Sequence, residues 1–575
     1  MKRKLAIILS LVLLVSMIAA CGGDSGGPAT TPPPSTDGGG GGGGGGGAVD
    51  PVAPGDTVTK FTFYDEDGNR AKPWNTPIAL EITRLTGIEL DFQYPIGGAD
   101  VMIPLMTASG DYPDLIYGKG TGSDQLLDAG ALLLLDNYIA NSRYMKDFYG
   151  DLLGRMRVSE ADPHIYTAGG YGINDPKWEV SAEMGVQLAI LEEFGYPMIR
   201  TIYDVGDLLE RYKELYPEID GRPTLGFSLN NADNWRYIID VGNPSGFIAG
   251  NPDHGEWIIN QDTLETYIKY IDPDLKEYYK FMNDMWNKGL IDPDCWTQTH
   301  EDWEAKIATG RVMAIVTPNW MVNSPEQSLR QNGMDERTYS RMPITYNANL
   351  PSMIRYDFGW SGGWGVGITT ACNDPDKAFA FLDWMCSDES QILRYWGIEG
   401  EHYEYIDGKR VQFDHVREAR TTDPDYGNAQ GLDWAYPFPE RGNGALDPTG
   451  NTYTTQTPDW IMENYSDAAK KALAAYGKNM WADFFPAPWD LPVSKVGAAW
   501  QIAIPLDSTL KDFESMVQHT LMPRMIPEAI MAAPDQFDAK WQDFVDAVYA
   551  AGAEQYNVEF TELVRGTGRL FGTWN

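Results

Sequence analysis

The sequence predicts an α/β protein built from two lobes. Three observations lead to this fold class. After an N-terminal leader and linker, roughly 520 residues remain, which is too many for a single hydrophobic core. Segment 57–117 alternates strand and helix patterns, and segment 186–316 does so a second time. Two α/β units in tandem imply two sheets, and therefore two lobes.

The first α/β unit reads strand, helix, strand, helix, strand. Its predicted elements are Val58–Tyr64, Thr76–Thr86, Ile88–Phe92, Ala99–Ser109 and Tyr112–Tyr117. Right-handed crossovers make these strands parallel, so their carboxyl ends meet at one rim of the sheet. Open α/β sheets bind ligands at that rim.

The second unit begins after a loop-rich passage. Its predicted strands are Val186–Leu191, Leu225–Leu229 and Val312–Val316. Helical patterns cover Ile202–Tyr216, part of Leu264–Lys288, Trp303–Thr309 and, near the C-terminus, Ser508–Met522, Asp535–Ala551 and Glu559–Leu570. We expect these C-terminal helices to pack on the second lobe.

The N-terminus has the pattern of an export signal. Basic residues at 2–4 precede the apolar run Leu5–Ala20, whose length of about 16 residues is short for a membrane-spanning helix. Ile18–Ala20 followed by Cys21 resembles a bacterial lipobox, which implies a signal peptide at 1–21 that ends at a lipidated cysteine. An ordinary cleaved signal with an incidental Cys21 is the alternative.

Residues 22–56 predict a disordered tether rich in Gly and Pro. They include three consecutive prolines and the uninterrupted tract Gly38–Gly47. Such a composition buries little apolar area and stays disordered.

Composition excludes several classes of partner. The chain has 44 Lys and Arg against 82 Asp and Glu, a formal charge of -38, which disfavours nucleic acid and anionic lipid as partners. The six histidines and four cysteines form neither HExxH nor CxxC, so we expect no metal site, no cofactor and no disulfide.

Two segments match the letters of functional motifs but not their physics. Gly359–Gly363 has the spacing of a nucleophile elbow, yet a strand pattern follows it where an elbow needs a helix. Asp65–Asn69 is similar to a calcium loop but lacks the distal bidentate glutamate. We therefore predict no catalytic residues and no enzyme activity.

Short motifs follow one another along the chain at Ser109–Leu115, Gly130–Ile139, Asn287–Asp294, Gly310–Ala314, Asp374–Trp384 and Gly397–Tyr403. In this order they resemble the extracellular solute-binding proteins of ABC importers, of the maltose-binding type, in the lipoprotein branch of Gram-positive bacteria. The resemblance implies a periplasmic-binding-protein-like (type II) fold with a ligand cleft between the lobes. It also implies that the chain crosses between lobes, with the first at 57–165 plus 321–395 and the second at 166–320 plus 396–575.

Aromatic residues are abundant, with 19 Trp, 31 Tyr and 20 Phe. Sugars present flat C–H faces edged by hydroxyls, so a sugar site needs aromatic platforms beside polar groups. We predict platforms at tryptophans that follow strands or lie among glycines: Trp235, Trp320, Trp360 and Trp364. The alternative for each is packing in the core or between lobes.

Polar candidates accompany these platforms. Those beside the tryptophans are Asp233, Asn234, Arg236 and Asn319; those at strand ends of the first unit are Asp65, Glu66 and Lys119. The alternative for the strand-end residues is a solvated loop.

Together these patterns predict a lipid-anchored receptor on the outer face of the cell membrane. It captures a carbohydrate, most simply an oligosaccharide, by hinge closure, and presents it as a monomer to the transmembrane subunits of an ABC permease. Two rival hypotheses stay open. One is a cell-surface glycoside hydrolase, and the other is a binding protein for a peptide or a sensory partner.

Overall fold

The structure is a computed structural model, and it describes residues 58–575 other than 69–72, 97–98, 171, 174, 176, 181, 233–234, 363, 424 and 434–436. The strands of its two main sheets, in chain order, are β1 (Thr59–Asp65), β2 (Ile88–Gln93), β3 (Leu115–Tyr117), β4 (Thr167–Gly169), β5 (Ala182–Val186), β6 (Leu225–Phe227), β7 (Val312–Pro318) and β8 (Gly365–Ile368). The predicted signal peptide, Cys21 and the tether lie outside the described residues.

The first sheet has the strand order β2-β1-β3-β8-β4. Strand β1 pairs in parallel with β2, where Phe61 faces Leu90, and with β3, where Asp65 faces Tyr117. Strand β8 returns antiparallel between β3 and β4. The predicted parallel unit is confirmed, and its strand ends lie on one rim, which carries Asp65.

The second sheet is smaller, with the order β5-β7-β6. Strand β7 is buried along its whole length and pairs in parallel with β6 and antiparallel with β5. The prediction of a strand at Val186–Leu191 was wrong, because the strand ends at Val186 and Leu188–Glu193 is a helix. A short apolar run fits a buried strand and a buried helix equally well.

Helices surround both sheets. The α-helices are Pro77–Thr86, Ala99–Ser109, Thr121–Asp128, Asp136–Ala140, Met145–Tyr149, Leu188–Glu193, Ile202–Leu215, Asn243–Ile248, Lys276–Asn287, His300–Ala308, Asn319–Gln331, Pro375–Met385, Asp388–Trp396, Asp414–Thr422, Tyr426–Gln430, Pro458–Asn464, Asp467–Ala475, Thr509–Met516, Met522–Ile530, Phe537–Ala550 and Ala553–Leu570. Segments Ile238–Gly242 and Val517–Leu521 are π-helical, and short antiparallel hairpins pair Trp257–Ile259 with Thr266–Ile268 and Tyr403–Ile406 with Lys409–Gln412.

Local chemistry explains where the best-predicted helices begin. The Thr76 hydroxyl accepts a hydrogen bond from the backbone N–H of Ala79, and Pro77 occupies the first helical turn. Thr201 and Asp204 form a reciprocal capping box at the start of the helix Ile202–Leu215. These caps supply partners for backbone N–H groups that have none within the helix.

Buried side chains form two large cores. One joins the first sheet to residues around 366–393 and also contains Leu432 and Phe438. The other joins the second sheet to the C-terminal helices. Helix Asn319–Gln331 packs through Met321 and Leu329 with Val312 of the second sheet. The division of the chain at 57–165 plus 321–395 and 166–320 plus 396–575 stays a prediction, and this packing favours placing helix 319–331 with the second sheet.

Three cysteines fall in the described part of the chain, and Cys295, Cys372 and Cys386 are all free thiols. Burial raises the pKa of the Cys372 thiol to about 11. Across the described ranges, no helix combines the length and apolar character that crossing a membrane would require.

Candidate functional site

A cavity of about 510 Å³ lies between the two cores. Its size is in the range of small-molecule sites. Aromatic and polar side chains both line it, among them Lys177, Phe358, Trp360, Ser361, Tyr395, Glu440, Arg441, Asn443, Trp500 and Gln501. We call this space the cavity.

Trp500 stands on a short turn, Ala499–Gln501, whose neighbours belong to the second core. The backbone N–H of Ala499 donates to Nδ1 of the buried His254 at 3.2 Å. Burial lowers the pKa of His254 to about 3, so its ring is neutral and free to accept this bond. Gly255 lies against the Trp500 side chain, where a Cβ would come within 3.2 Å of the Trp500 Cβ. The Trp500 side chain therefore packs closely against Gly255, while 39% of the residue is exposed.

Glu66 and Lys119 meet where β1 and β3 end. The backbone N–H of Lys119 donates to Glu66 Oε2 at 2.5 Å, and Lys119 Nζ pairs with Asp67 Oδ1 at 3.3 Å. The same ammonium lies 5.6 Å from the ring centroid of Trp364, whose own centroid is 5.2 Å from that of Trp500. We call Glu66, Lys119, Trp364 and Trp500 the Trp364 group, and it bridges the two cores.

Two carboxyl groups lie near this bridge, one buried and one partly buried. Burial raises the pKa of Asp65, the last residue of β1, to about 6. Burial likewise raises the pKa of Asp124 to about 6. Asp124 lies on the helix that follows β3, and its carboxylate is 4.0 Å from Nζ of Lys511 on a C-terminal helix. This is a second contact between the cores.

Trp360 lines the cavity from the side of the first core. Its ring centroid lies 5.4 Å from that of Tyr149, and its φ of 49° is in the left-handed region, which is strained for a bulky residue. Arg155 Nη1 donates to the carbonyl oxygens of Gly359 and Trp360 at 2.5 and 3.0 Å. These contacts fix the unusual backbone and hold the ring in place.

Polar groups edge the cavity. Tyr395 donates its hydroxyl proton to Glu440 Oε2 at 2.8 Å, and the Ser361 hydroxyl donates to the Gln501 side-chain oxygen across the space between the cores. The Arg441 guanidinium stacks 4.2 Å from the Phe148 centroid. Aromatic faces next to fixed donors and acceptors form the arrangement that a sugar ring requires.

A second aromatic feature lies where the strands of the second sheet end. Trp320 is the second residue of the helix that follows β7, while Trp235 lies eight residues beyond the end of β6; their ring centroids are 6.0 Å apart. Trp320 is 51% exposed, and the Arg236 guanidinium lies 5.0 Å from the Trp235 centroid. We call Trp235 and Trp320 the Trp320 pair.

Asp240 connects the two strand ends that carry this pair. It is fully buried, accepts a hydrogen bond from the Thr317 hydroxyl at 2.7 Å, and accepts another from the Asn230 side chain at 3.0 Å. Burial raises the pKa of Asp240 to about 7. The buried side-chain oxygens of Asn230 and Asn231 have no hydrogen-bond partner among the described residues. Buried acceptors of this kind are normally hydrogen-bonded in folded proteins.

The structure thus brings most predicted site residues together in two places. Asp65, Glu66, Lys119 and Trp364 gather beside the cavity that Trp360 lines, and Trp235, Arg236, Asn319 and Trp320 gather at the end of the second sheet. Asp233 and Asn234 lie outside the described residues.

Sequence reasoning missed the cavity residues beyond position 394. Glu440, Arg441, Asn443, Trp500 and Gln501 come from segments without regular periodicity, and Tyr395 lies on the helix Asp388–Trp396. The run Glu440–Asn443, polar after an aromatic and proline-rich stretch, was the available signal. Within the described part of the chain, no cluster of His, Cys, Asp and Glu has the composition to hold a metal ion.

Two sheets with separate cores and an aromatic cavity between them define a two-lobed binding-protein fold of type II. A family model for bacterial extracellular solute-binding proteins matches residues 67–392. The chain belongs to this family. The predicted family and fold class are confirmed.

Two relatives extend this comparison. Lipoprotein LipO of Bacillus subtilis (strain 168) is 24% identical over 353 residues, which are 58% of this chain and 65% of that protein. An uncharacterised protein of Niallia circulans is 25% identical over 133 residues, which are 23% of this chain and 51% of that protein. The chain therefore spans less than two thirds of the length of these relatives.

Solved structures share the fold at low sequence identity. The S. pneumoniae substrate-binding protein FusA, an EF-hand mutant in complex with fructo-nystose, has a TM-score of 0.62 at 16% identity, covering 88% of this chain and 99% of that chain. The HMO-binding solute-binding protein of Bifidobacterium longum infantis has a TM-score of 0.60 at 13% identity, covering 91% and 100%. The alginate-binding protein AlgQ2, without calcium ion, has a TM-score of 0.59 at 15% identity, covering 88% and 98%.

Proposed function

We propose that this protein is the lipid-anchored receptor of an ABC importer and that its ligand is an oligosaccharide. The observation that carries the proposal is the cavity, where Trp360 and Trp500 face a common space edged by Glu440, Arg441 and Asn443. Flat aromatic faces stack on the C–H faces of sugars, and charged and amide groups exchange hydrogen bonds with hydroxyls. Of the fold neighbours, one is in complex with fructo-nystose and another is HMO-binding, which supports this ligand class.

Binding proceeds by hinge closure in this proposal. The cavity takes walls from both cores, so a ligand that contacts both walls binds the closed arrangement more tightly than an open one. A ligand shifts a conformational equilibrium by its difference in affinity for the two states. The permease then recognises the closed form, and the binding protein performs no chemistry.

The lipid anchor at Cys21 and the tether at 22–56 are part of the same proposal. The relative LipO is named a lipoprotein, which supports the anchor. A flexible tether keeps the receptor on the outer face of the membrane and raises its effective concentration near a permease.

A thermal-unfolding screen tests the ligand class. Protein lacking residues 1–56 is heated with monosaccharides, oligosaccharides of defined length and short peptides. A true ligand at about one hundred times its Kd stabilises the fold by about 2.7 kcal/mol, which raises Tm. We expect at least one oligosaccharide to do so, while peptides leave Tm unchanged.

Two other outcomes contradict the proposal. Stabilisation by peptides with none by glycans indicates a peptide receptor. Release of reducing sugar from a glycan panel indicates a glycoside hydrolase, whose two carboxyl groups must stand about 5 to 10 Å apart across the cleft.

A further inference from the structure

Loop 486–494 carries a tryptophan that belongs to neither hydrophobic core and does not line the cavity. Trp489 is 77% exposed, whereas Trp257, Trp303 and Trp541 are almost completely buried. Leaving so large a ring in water forgoes the hydrophobic stabilisation that burial would give. An exposed tryptophan with a fixed position is instead suited to contact a binding partner.

One end of this loop is fastened to the cavity wall by Arg355. Its guanidinium donates from Nη1 to the carbonyl oxygens of Ala482 and Pro486, at 3.3 and 3.4 Å, and from Nε to the Lys177 carbonyl oxygen at 3.0 Å. Lys177 lines the cavity, and Arg355 is buried. The arginine therefore ties the start of the loop to the wall.

The other end is fastened by backbone contacts. The N–H of Ser494 donates to the Asp357 carbonyl oxygen at 2.8 Å, and Val493 lies so close to Gly359 that a Cβ there would be 3.1 Å from Val493 Cγ1. Asp357 and Gly359 both line the cavity. Trp489 is four residues from Val493, so its Cα lies within about 14 Å of a residue that touches the cavity wall.

The loop between these ends is stiff. Pro486, Pro488 and Pro492 each fix φ, and Trp489 lies in a single 3₁₀ turn, Pro488–Asp490. A backbone held in place before binding loses little conformational entropy when a ligand contacts its side chain. The loop is thus a stiff support for Trp489 that is joined to the cavity wall at both of its ends.

We propose that Trp489 is an outer stacking platform for the part of a carbohydrate chain that protrudes from the cavity. The ligand is then longer than the cavity, and units beyond the enclosed ones stack on this ring. The inference rests on the proposed carbohydrate function and adds a length preference to it. Aromatic stacking is tolerant of the identity of a flat partner, so Trp489 selects for length more than for the kind of sugar.

A length series tests this role. Calorimetric affinities of the wild type and of Trp489→Ala are compared, on protein from residue 57 onward, for a homologous series of the oligosaccharide that stabilises the wild type. We expect the variant to bind the shortest binding member within twofold of the wild type. It loses about fivefold to fiftyfold in affinity for longer members, and Trp489→Phe recovers part of that loss. Tyr549→Ala removes a 44% exposed ring from a C-terminal helix and serves as the matched control, with unchanged affinities.

Three results overturn the inference. If Trp489→Ala loses the same affinity for oligosaccharides of every length, Trp489 acts through the cavity wall. If it loses no affinity at any length, Trp489 is not part of the site. Unchanged affinity with reduced import by cells assigns the ring to a contact with the permease. If the wild type binds peptides and no glycan, the proposed function itself fails, and that result is visible before any variant is made.

Discussion

The cavity and the Trp320 pair are both aromatic, but they are built differently. Around the cavity, Trp360 belongs to the first core and Trp500 to a turn of the second, so both walls are already in place. The Trp320 pair has a wall on one side, the second sheet, and Trp320 is half-exposed. The first feature is preformed, and the second is open to a further partner.

Their supports differ in charge as well. Trp500 is supported by His254, whose pKa burial lowers to about 3, so this support stays neutral throughout the physiological range. The Trp320 pair is supported by Asp240, whose pKa burial raises to about 7. The charge of the group that supports Trp500 therefore stays constant near neutral pH. The charge of Asp240, which supports the Trp320 pair, changes with pH.

The largest expected effect is that of Trp500→Ala. The ring contacts Trp364 and faces the cavity, so its removal takes away a preformed stacking surface worth about 2 to 3 kcal/mol. We expect a loss of roughly thirtyfold to a hundredfold or more in oligosaccharide affinity by calorimetry. Tyr549→Ala is the control, and an unchanged Kd for Trp500→Ala would show that the cavity is not the main site.

A smaller loss is expected for Trp320→Ala and for Trp235→Ala. Because this pair is open on one side, each ring contributes about 1 to 2 kcal/mol, which is roughly fivefold to thirtyfold in Kd. Circular dichroism checks that the fold survives. If Trp320→Ala weakens binding more than Trp500→Ala does, the Trp320 pair contributes more to affinity than the cavity does.

The smallest effect on binding, and the clearest on stability, is expected for Asp240→Asn. Burial raises the pKa of Asp240 from its ordinary value of 3.8 to about 7 in the folded protein, so folding favours the protonated carboxyl. Its contribution to the free energy of unfolding is fully present below about pH 4 and is lost as pH rises to about 7. Asparagine has no such titration.

Urea unfolding from pH 4 to pH 8 measures this difference. We expect the stability of Asp240→Asn relative to the wild type to rise by about 2 to 4 kcal/mol over that range. His254→Gln is expected to change the profile in the opposite direction, because the folded pKa near 3 lies below the ordinary value of 6.5, so the neutral histidine contributes stability that is lost as pH falls below about 6.5. Parallel pH profiles for wild type and Asp240→Asn would contradict the difference between the two supports.

Elements with strong local signals were predictable from the sequence. The predicted helix Ala99–Ser109 has the observed bounds, and the predicted helix Thr76–Thr86 differs from the observed one by its cap residue. Periodic apolar spacing and capping side chains act within a few residues, so they can be read without tertiary structure. The position of β5 was mispredicted because its place is set by pairing with β7, more than a hundred residues away in the chain.

The site was predictable in part for the same reason. Residues within two positions of a strand end, such as Glu66, Lys119 and Trp320, could be placed at sheet rims by topology alone. Trp500 and Gln501 could not, because they lie in an irregular segment, and the bond from Ser361 to Gln501 spans 140 positions of sequence. No periodic pattern records a contact of that kind.

The strained backbone of Trp360 limits how this receptor can change its specificity. Its left-handed φ is maintained by the hydrogen bond from Arg155 and by packing on Tyr149. A new side chain at position 360 must therefore tolerate the left-handed φ, leave the Arg155 hydrogen bond in place and pack against Tyr149. Trp500 and Trp489 have ordinary backbone angles and solvent on one face. New ligand preferences therefore arise more readily by single substitutions at those two positions. Position 360 changes only together with its contacts to Arg155 and Tyr149.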